Sequence, residues 1–258
     1  MKPFEGKVAV VTGGTQGLGA AIAALFVERG ARGVVICGRS KEKGEAKARA
    51  LGGASDVRFV PADLTRVEDC RAVIAAADGH FGRVDVLVNA AAMTDRGTLL
   101  DTSPELFDRI FATNVRAPFF LMQEAVTVMR RERTEGAIVN ICSMSALAGQ
   151  PFIAAYCASK GALATLTRNA AYALLRNRIR VNGLNLGWMV RGQQARQDFA
   201  VVGLVVQTAT QQWDSELAFF DLGLGRAGQF PGGGEHRFKR THGLRRRWAP
   251  AGLHLHYG

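Results

Sequence analysis

The chain has no apolar run that approaches the roughly 20 residues of a membrane-spanning helix. Residues 1–7 also lack the apolar segment of a secretory signal. The four cysteines are scattered and form no C-x-x-C pair, a pattern typical of reduced thiols in a cytosolic protein: Cys37, Cys70, Cys142 and Cys157. These absences predict a cytoplasmic protein with no membrane partner.

Acidic residues are scarce relative to basic ones, and the net charge is +11. The positive residues are dispersed except for two clusters, within 130–133 and at 245–247, and no recognisable nucleic-acid-binding module accompanies them. We therefore expect no nucleic-acid partner and attribute the charge to solvated side chains and to attraction of a phosphorylated cofactor. No His, Cys, Asp and Glu residues have convincing metal-ligand spacing. His254-x-His256 is interpreted as incidental, so no metal is expected.

Short apolar runs alternate with helical stretches through most of the chain. The predicted strands are 7–12, 34–37, 57–60, 84–88, 137–141 and 179–184. The predicted helices are 18–29, 41–51, 65–81 capped by Thr65, a stretch from Ser103-Pro104 to about 133 with a candidate break at Pro118, and 155–176. Strict alternation predicts an α/β fold with a doubly wound, mostly parallel sheet of the Rossmann type.

A glycine-rich segment connects the first predicted strand to the first predicted helix. It reads Thr-Gly-Gly-Thr-Gln-Gly-Leu-Gly from residue 12. Glycines there permit a tight turn and close backbone approach, so a pyrophosphate can lie at the helix N-terminus. An ordinary glycine-rich turn is the weaker alternative. The predicted cofactor-binding residues of this segment are Gly13, Thr15, Gln16, Gly17, Leu18 and Gly19.

Tyr156 and Lys160 stand four residues apart, and Ser143 precedes the tyrosine by thirteen residues. Side chains at i and i+4 share a helix face. An ammonium group beside a phenol lowers the phenol's pKa, which makes it a usable proton donor and acceptor near neutral pH. A serine hydroxyl nearby could polarise a carbonyl. Alone, Y-x-x-x-K is a weak signal, but the glycine-rich segment strengthens it.

The G-x-x-x-G-x-G spacing together with Ser143, Tyr156 and Lys160 resembles the short-chain dehydrogenase/reductase family over about residues 5–187. The resemblance implies that Asn114, in Thr-Asn-Val, completes a catalytic tetrad by holding a proton-relay water. It implies that Asp63-Leu64 contacts the adenine. It also implies that Asn89, the first residue of an altered N-N-A-G motif, supports the sheet and lines the cofactor site.

Each of these residues also has a simpler interpretation. Asp63 could end a strand, and Asn114 could be a polar residue that bends a helix. Ser143 could cap a turn, and Ser145 is a competitor for its role. Occurrence of all of them in the family's order on an alternating scaffold favours the functional interpretation.

The choice of cofactor depends on the end of the second strand. The family's NAD-selecting aspartate would fall at Gly38, and Arg39 follows it. A 2′-phosphate needs positive charge, and arginine suits bidentate phosphate contact. NADP is therefore favoured over NAD; the alternative is that Arg39 is a solvated loop residue.

The resemblance ends after about residue 187, which leaves residues 1–187 as the dinucleotide-binding catalytic domain and 188–258 as an atypical C-terminal segment. Leu186 replaces the proline of the family's Pro-Gly, and Arg191 stands where a nicotinamide-contacting threonine is expected. A candidate strand at 201–206 and a candidate helix at 211–220 follow. The segment is either a divergent substrate lid or the product of a reading-frame shift near residue 190. Lost periodicity and lost motifs favour the shift, which would weaken activity.

The sequence thus predicts an NAD(P)-dependent oxidoreductase that moves a hydride between the nicotinamide and a small carbonyl or secondary-alcohol substrate. Tyr156 would transfer the proton, Lys160 would lower its pKa and bind the nicotinamide ribose, and Ser143 would hold the substrate oxygen. The alternative is a non-catalytic nucleotide-binding protein. The resemblance also implies a homo-oligomer, a dimer or tetramer paired through the fourth and fifth helices.

Overall fold

A computed structural model describes residues 2–53, 55–191 and 199–208. The strands are β1 Val8–Thr12, β2 Gly33–Gly38, β3 Asp56–Pro61, β4 Val86–Asn89, β5 Ala137–Ser143, β6 Arg180–Arg191 and β7 Phe199–Thr208. The helices are α1 Gly17–Glu28, α2 Lys41–Leu51, α3 Val67–Phe81, α4 Pro104–Phe111, α5 Ala117–Arg131 and α6 Ala154–Ala173, with a π turn at Ala112–Arg116 between α4 and α5. No helix in this part of the chain is long and apolar enough to cross a membrane.

The strands form one sheet in the order β3-β2-β1-β4-β5-β6-β7. Among the described strands, the pairs from β3 to β6 are all parallel, and β7 pairs antiparallel with β6. The chain runs outward from β1 to β3 and returns to place β4 on the other side of β1. This arrangement confirms the predicted doubly wound, mostly parallel α/β fold.

Each strand near the centre buries both of its faces, and successive side chains enter different cores. Val8 and Val10 lie in the core beneath α3 and α5. Ala9 and Val11, between them, lie in the core beneath α1 and α2. Complete burial of an aliphatic side chain contributes about 1.5–3 kcal/mol. Continuous apolar runs therefore specify strands that are covered on both sides.

The structure changes several predicted boundaries. Thr65 is not the cap of α3: Arg66 is the N-cap residue, and the Thr65 hydroxyl donates to the Asp63 carboxylate at 2.9 Å. The break in the long helical stretch is the π turn, and Pro118 lies within the first turn of α5. Ser103 does cap α4, because its hydroxyl accepts from the Leu106 amide.

Part of the C-terminal segment joins the sheet. The candidate strand at 201–206 lies within β7, and β6 continues to Arg191, well past its predicted end at 184. The candidate helix at 211–220 lies outside the described residues.

A buried carboxylate forms several hydrogen bonds at the N-terminal ends of the strands. Asp85 is 4% exposed and accepts from the Val8 amide at 2.9 Å, from Arg83 at 2.8 and 2.6 Å, and from Lys7 at 3.4 Å. Burial pushes the pKa of Asp85 upward, but the Arg83 and Val8 hydrogen bonds and the neighbouring positive charges outweigh it and hold the pKa below its usual value.

Asp85→Asn is expected to lower the free energy of unfolding at pH 7 by about 2 kcal/mol, because charged hydrogen bonds to a buried group are lost. Since the folded-state pKa is depressed, the carboxylate's contribution is present above the unfolded pKa and is lost as pH falls through the folded value. The deficit should therefore shrink in urea titrations at or below about pH 4. Asp78→Asn is the control, since Asp78 pairs with Arg131 at the surface and should cost less than about 1 kcal/mol. Equal costs at both positions would contradict a buried clamp.

Candidate active site

The predicted site residues lie at the C-terminal edge of the sheet, next to the paired strands β1 and β4. The chain leaves these two strands towards opposite edges of the sheet. In an open α/β sheet, this switch point leaves a crevice into which the loops after both strands project. The glycine-rich segment follows β1, Asn89 ends β4 and Ser143 ends β5. Tyr156 and Lys160 lie in the first two turns of α6.

Two glycines of the segment are required by its geometry. Gly13 has a φ of +65°, and a Cβ there would lie 3.0 Å from the Ala91 Cα on the loop after β4. A Cβ on Gly19 would collide with the Gly13 carbonyl. The segment therefore packs backbone against backbone, which brings its amide groups close to whatever occupies the crevice.

At the N-terminus of α1, no described side chain caps the amides of the first turn. Gln16 is the N-cap residue, its side chain makes no capping hydrogen bond, and the first turn has no acidic residue. Thr15 lies against Gly38, where a Cβ would come within 3.1 Å of the threonine hydroxyl. Leu18 packs on the core beneath α1. Open amides and a positive helix end fit a pyrophosphate.

Thr12 is a site residue that the sequence reasoning missed. Its hydroxyl accepts from the amides of Ala90 and Ala91 at 3.0 and 3.1 Å and faces the Val88 carbonyl at 3.4 Å. The contact fixes the loop after β4 beside the glycine-rich segment. A threonine directly before the first glycine of such a loop is the signal that could have identified it.

Arg39 lies in the loop between β2 and α2, and its side chain is exposed. Across the described ranges it makes no hydrogen bond or close ion pair, but its charge acts on Asp63. The pKa of Asp63 is lowered chiefly by hydrogen bonds from the Thr65 amide and hydroxyl, and Arg39 and Arg66 add to the effect. Arg39 is thus close to Asp63, while Leu64 packs against the core beneath α3.

A chain of hydrogen bonds between buried side chains begins at Asn89. The Asn89 amide donates to Asn140 Oδ1 at 2.8 Å, and Asn140 donates in turn to the Thr167 hydroxyl on α6 at 2.9 Å. Asn89 Oδ1 is buried and has no partner among the described residues. Asn140 and Thr167 were not predicted; an asparagine inside the apolar run of β5 was the available signal, since buried polar groups need partners.

Asn114 lies on the π turn, fully buried, and its side chain is used for structure. Its Oδ1 accepts from the Met93 amide at 2.8 Å, and its Nδ2 donates to the Met93 carbonyl and to the Ser159 hydroxyl, both at 2.9 Å. Ser159 in turn donates to the Tyr156 carbonyl at 2.7 Å. Asn114 thereby joins the loop after β4, the π turn and the first turns of α6. π turns often occur at functional sites.

Ser143, Tyr156 and Lys160 lie together where β5 ends. The Ser143 hydroxyl accepts from the Ser145 amide at 3.1 Å, and it is close enough to Tyr156 to influence its ionisation. Lys160 is 2% exposed and donates to the Ile141 carbonyl at 2.6 Å. Its Nζ lies 5.7 Å from the centre of the Tyr156 ring.

The pKa shifts differ from the sequence expectation. Burial raises the pKa of Tyr156 above its ordinary value, and the Ser143 hydroxyl only partly opposes this effect. Burial also lowers the pKa of Lys160 to about 8. The predicted net lowering of the Tyr156 pKa by Lys160 is therefore absent from this structure, because desolvation dominates and the ammonium is bound to the Ile141 carbonyl.

Comparison with known proteins identifies the class of protein to which this fold and site belong. The family described as short chain dehydrogenase matches residues 7–200, so the chain belongs to the short-chain dehydrogenase family. A galactitol 2-dehydrogenase of Agrobacterium fabrum is 34% identical over 184 residues, 71% of each chain. An NADP-dependent (R)-specific alcohol dehydrogenase of Lentilactobacillus kefiri is 35% identical over 188 residues, 72% of this chain and 74% of its own. A solved structure of NAD+-bound xylitol dehydrogenase is 30% identical with a TM-score of 0.70, covering 74% of each chain.

Proposed function

We propose that the protein is an NADP-dependent oxidoreductase that transfers a hydride between the nicotinamide and the carbon of a ketone or secondary alcohol. The observation that carries the proposal is the grouping of Ser143, Tyr156 and Lys160 at the same sheet edge as the open N-terminus of α1. A proton-transfer group and a pyrophosphate site are thereby brought to one crevice. The named relatives act on alcohols and polyols, which supports a small hydroxylated substrate.

The nicotinamide supplies or accepts the hydride, and the protein binds, orients and moves protons. Tyr156 donates the proton to the carbonyl oxygen in reduction, since its raised pKa keeps the phenol protonated at neutral pH. Ser143 holds the same oxygen by hydrogen bonding. Lys160, whose Nζ lies 5.7 Å from the centre of the Tyr156 ring, binds the nicotinamide ribose.

The side chain of Asn114 has a structural role and does not itself hold the proton-relay water. Both of its amide hydrogens and its carbonyl oxygen are engaged by Met93 and Ser159. A proton-relay water would therefore be held by a backbone carbonyl of the π turn, where the regular i to i+4 ladder is interrupted. The side chain fixes that turn against α6.

The cofactor cradle fits a dinucleotide phosphate. Gly13 and Gly19 admit close backbone approach, and Gly38 leaves no acidic side chain where a 2′-hydroxyl would be held. Exposed Arg39 is placed beside Asp63, the proposed adenine contact. Asn89 Oδ1 has no partner among the described residues, and the residue would support the cofactor site from the end of β4. The relatives include an NADP-dependent enzyme and an NAD+-bound one, so the preference for NADP depends on Arg39.

The proposed activity is tested by following NADPH absorbance with a panel of ketones, and NADP+ reduction with secondary alcohols and polyols. Turnover with at least one substrate that is lost in a Tyr156→Phe variant supports the proposal. NADPH binding without turnover on any substrate would favour a non-catalytic nucleotide-binding protein. Absence of both binding and turnover would refute the cofactor site itself.

We also propose a cytoplasmic homo-oligomer that pairs through α4, α5 and α6. Phe107 on α4 and Phe119 on α5 are 42% and 46% exposed. A shallow groove brings Phe111, Val115 and Phe119 together, and its lining also includes charged residues: Asp108, Arg109 and Arg116. Aromatic side chains grouped on an outer helix face support a protein interface. Sedimentation should show a dimer or tetramer, and Phe119→Asp should shift it towards monomer. A monomeric wild type would contradict the interface.

The C-terminal segment bears on activity, since its residues would form the pocket wall. The family match ends at residue 200. We propose that the reading frame changes near residue 190 and that catalysis is weakened as a result. Translation of the coding DNA in its other two frames tests this idea. Failure of both frames to restore a family-like ending would leave the divergent lid as the explanation.

A further inference from the structure

Asn185 is a buried polar side chain to which the proposed reaction assigns no role. It lies in β6, is 1% exposed, and its Oδ1 has no hydrogen-bond partner within the described ranges. A buried acceptor left unpaired costs about 1–3 kcal/mol. Such groups in a folded protein are paired or serve a function.

The sheet register places Asn185 on the face that carries α6. Cys142 pairs in register with Asn185, and Asn140 pairs with Gly183. Paired residues of parallel strands present their side chains on the same face. Asn140 donates to Thr167 on α6, and a Cβ at Gly183 would lie 3.3 Å from Cys142 Sγ. The Asn185 side chain therefore leaves the sheet on the side of α6, beside Cys142.

The ammonium of Lys160 lies at the same level of the neighbouring strand. Its Nζ donates to the Ile141 carbonyl at 2.6 Å, and Ile141 directly precedes Cys142, which is the register partner of Asn185. The thiol of Cys142 interacts electrostatically with the ammonium. An ammonium has three donors, and this contact uses one of them. Within the described residues, Asn185 Oδ1 on β6 has no donor, and the hydrogen bond found for the Lys160 ammonium goes to Ile141 on the adjacent strand β5.

We propose that Asn185 is a positioning residue for Lys160, whose ammonium is linked to Asn185 Oδ1 through one buried water. The contact would hold the ammonium between β5 and β6, beneath Tyr156. This inference rests on the proposed function for its catalytic meaning, but the contact itself can be measured without turnover.

Among the described residues, two titratable groups face the Lys160 ammonium: the Cys142 thiol on β5 and the Tyr156 phenol on α6. Neither the π turn nor β6 contains an aspartate or glutamate. A carboxylate introduced at position 185 would therefore add a negative charge beside the ammonium from a strand that has none.

The test is the ionisation of Lys160, followed by NMR of the full chain with isotope-labelled lysine side chains. The chain has seven lysines, and Lys160→Arg identifies the resonance. The wild-type midpoint is expected at about 8. Asn185→Asp should raise it by about one pH unit or more, since an adjacent opposite charge favours the ammonium. Asn185→Leu, of similar size, should lower it.

Asn182→Asp is the matched control. It makes the same chemical change in the same strand, but strand alternation places residue 182 on the opposite face. Its shift should be less than about a third of that from Asn185→Asp. Equal shifts from the two aspartates, or none from either substitution at position 185, would overturn the inference. Circular dichroism shows whether each variant is folded. If the aspartate variant is not folded, the shift in the Lys160 midpoint is measured on the leucine variant alone.

Measurement of turnover beside the Lys160 midpoint distinguishes failure of this inference from failure of the proposed function. If the wild type turns over no substrate but Asn185→Asp shifts Lys160, the proposed function fails and the contact stands. If the wild type is active and Asn185→Asp leaves Lys160 unmoved, the contact fails and the function stands. With both correct, Asn185→Leu should raise the KM for NADPH more than it lowers kcat, because Lys160 binds the ribose.

Discussion

Substitution of Tyr156 by phenylalanine is expected to lower kcat about a thousand-fold, within the usual range for loss of a positioned proton-transfer group. Only the phenolic oxygen is removed, and the ring stays beside Lys160, whose Nζ lies 5.7 Å from its centre. The α6 helix should therefore keep its position. Initial rates of NADPH oxidation measure kcat, and quenching of protein fluorescence by NADPH measures cofactor binding, which should change less than about threefold.

Tyr172→Phe is the matched control for this prediction. Tyr172 lies on the same helix, but its side chain is 79% exposed, so the same deletion there should leave kcat within about twofold of wild type. Comparable turnover in the two variants would show that Tyr156 is not the proton-transfer group. Loss of NADPH binding in Tyr156→Phe would instead show that the phenol supports the site rather than the reaction.

The fold was predictable because its signals are local. Strands such as Val8–Thr12 are buried on both faces and are therefore apolar throughout. One helix between them begins with a readable cap, Ser103 before Pro104, whereas the cap predicted at Thr65 was wrong. The direction of β7 was not predictable, since antiparallel pairing with β6 depends on the path of the intervening chain. The sequence predicts a helix break at Pro118, because proline is the visible helix breaker. The observed break is the π turn before it, which is accompanied by tertiary contacts of Asn114.

The candidate site also contains residues that local patterns predict and residues that depend on tertiary packing. Glycine spacing and the four-residue separation of Tyr156 and Lys160 are properties of a single turn or helix, and they were readable. Asn140, Thr167 and Asn185 depend on strand register and on how α6 docks, which no local pattern encodes. The raised pKa of Tyr156 was not predictable for a related reason. Spacing reveals a charged neighbour, but the desolvation that raises this pKa is a property of the assembled core.

Arg39→Asp is expected to lower the preference for NADPH over NADH about a hundred-fold or more. Arg39 is the residue proposed to bind the 2′-phosphate, and a bidentate arginine–phosphate contact is lost while a repulsive charge is introduced. Each charged hydrogen bond contributes about 1.5–3 kcal/mol, and a factor of ten corresponds to about 1.4 kcal/mol. The ratio of kcat/KM for the two cofactors measures the change, and kcat with NADH should be nearly unaffected.

Lys41→Asp makes the same change of charge two residues further along the chain. Lys41 is exposed in the first turn of α2 and lies 3.9 Å from Glu45, so its substitution alters only the long-range attraction of the cofactor, which salt screens. We expect a change in cofactor preference of less than about threefold for this control. A wild type that prefers NADH, or equal changes in the two variants, would show that Arg39 does not bind the phosphate. A large effect confined to Arg39 would locate the selectivity at the end of β2, next to the position that Gly38 leaves without a carboxylate.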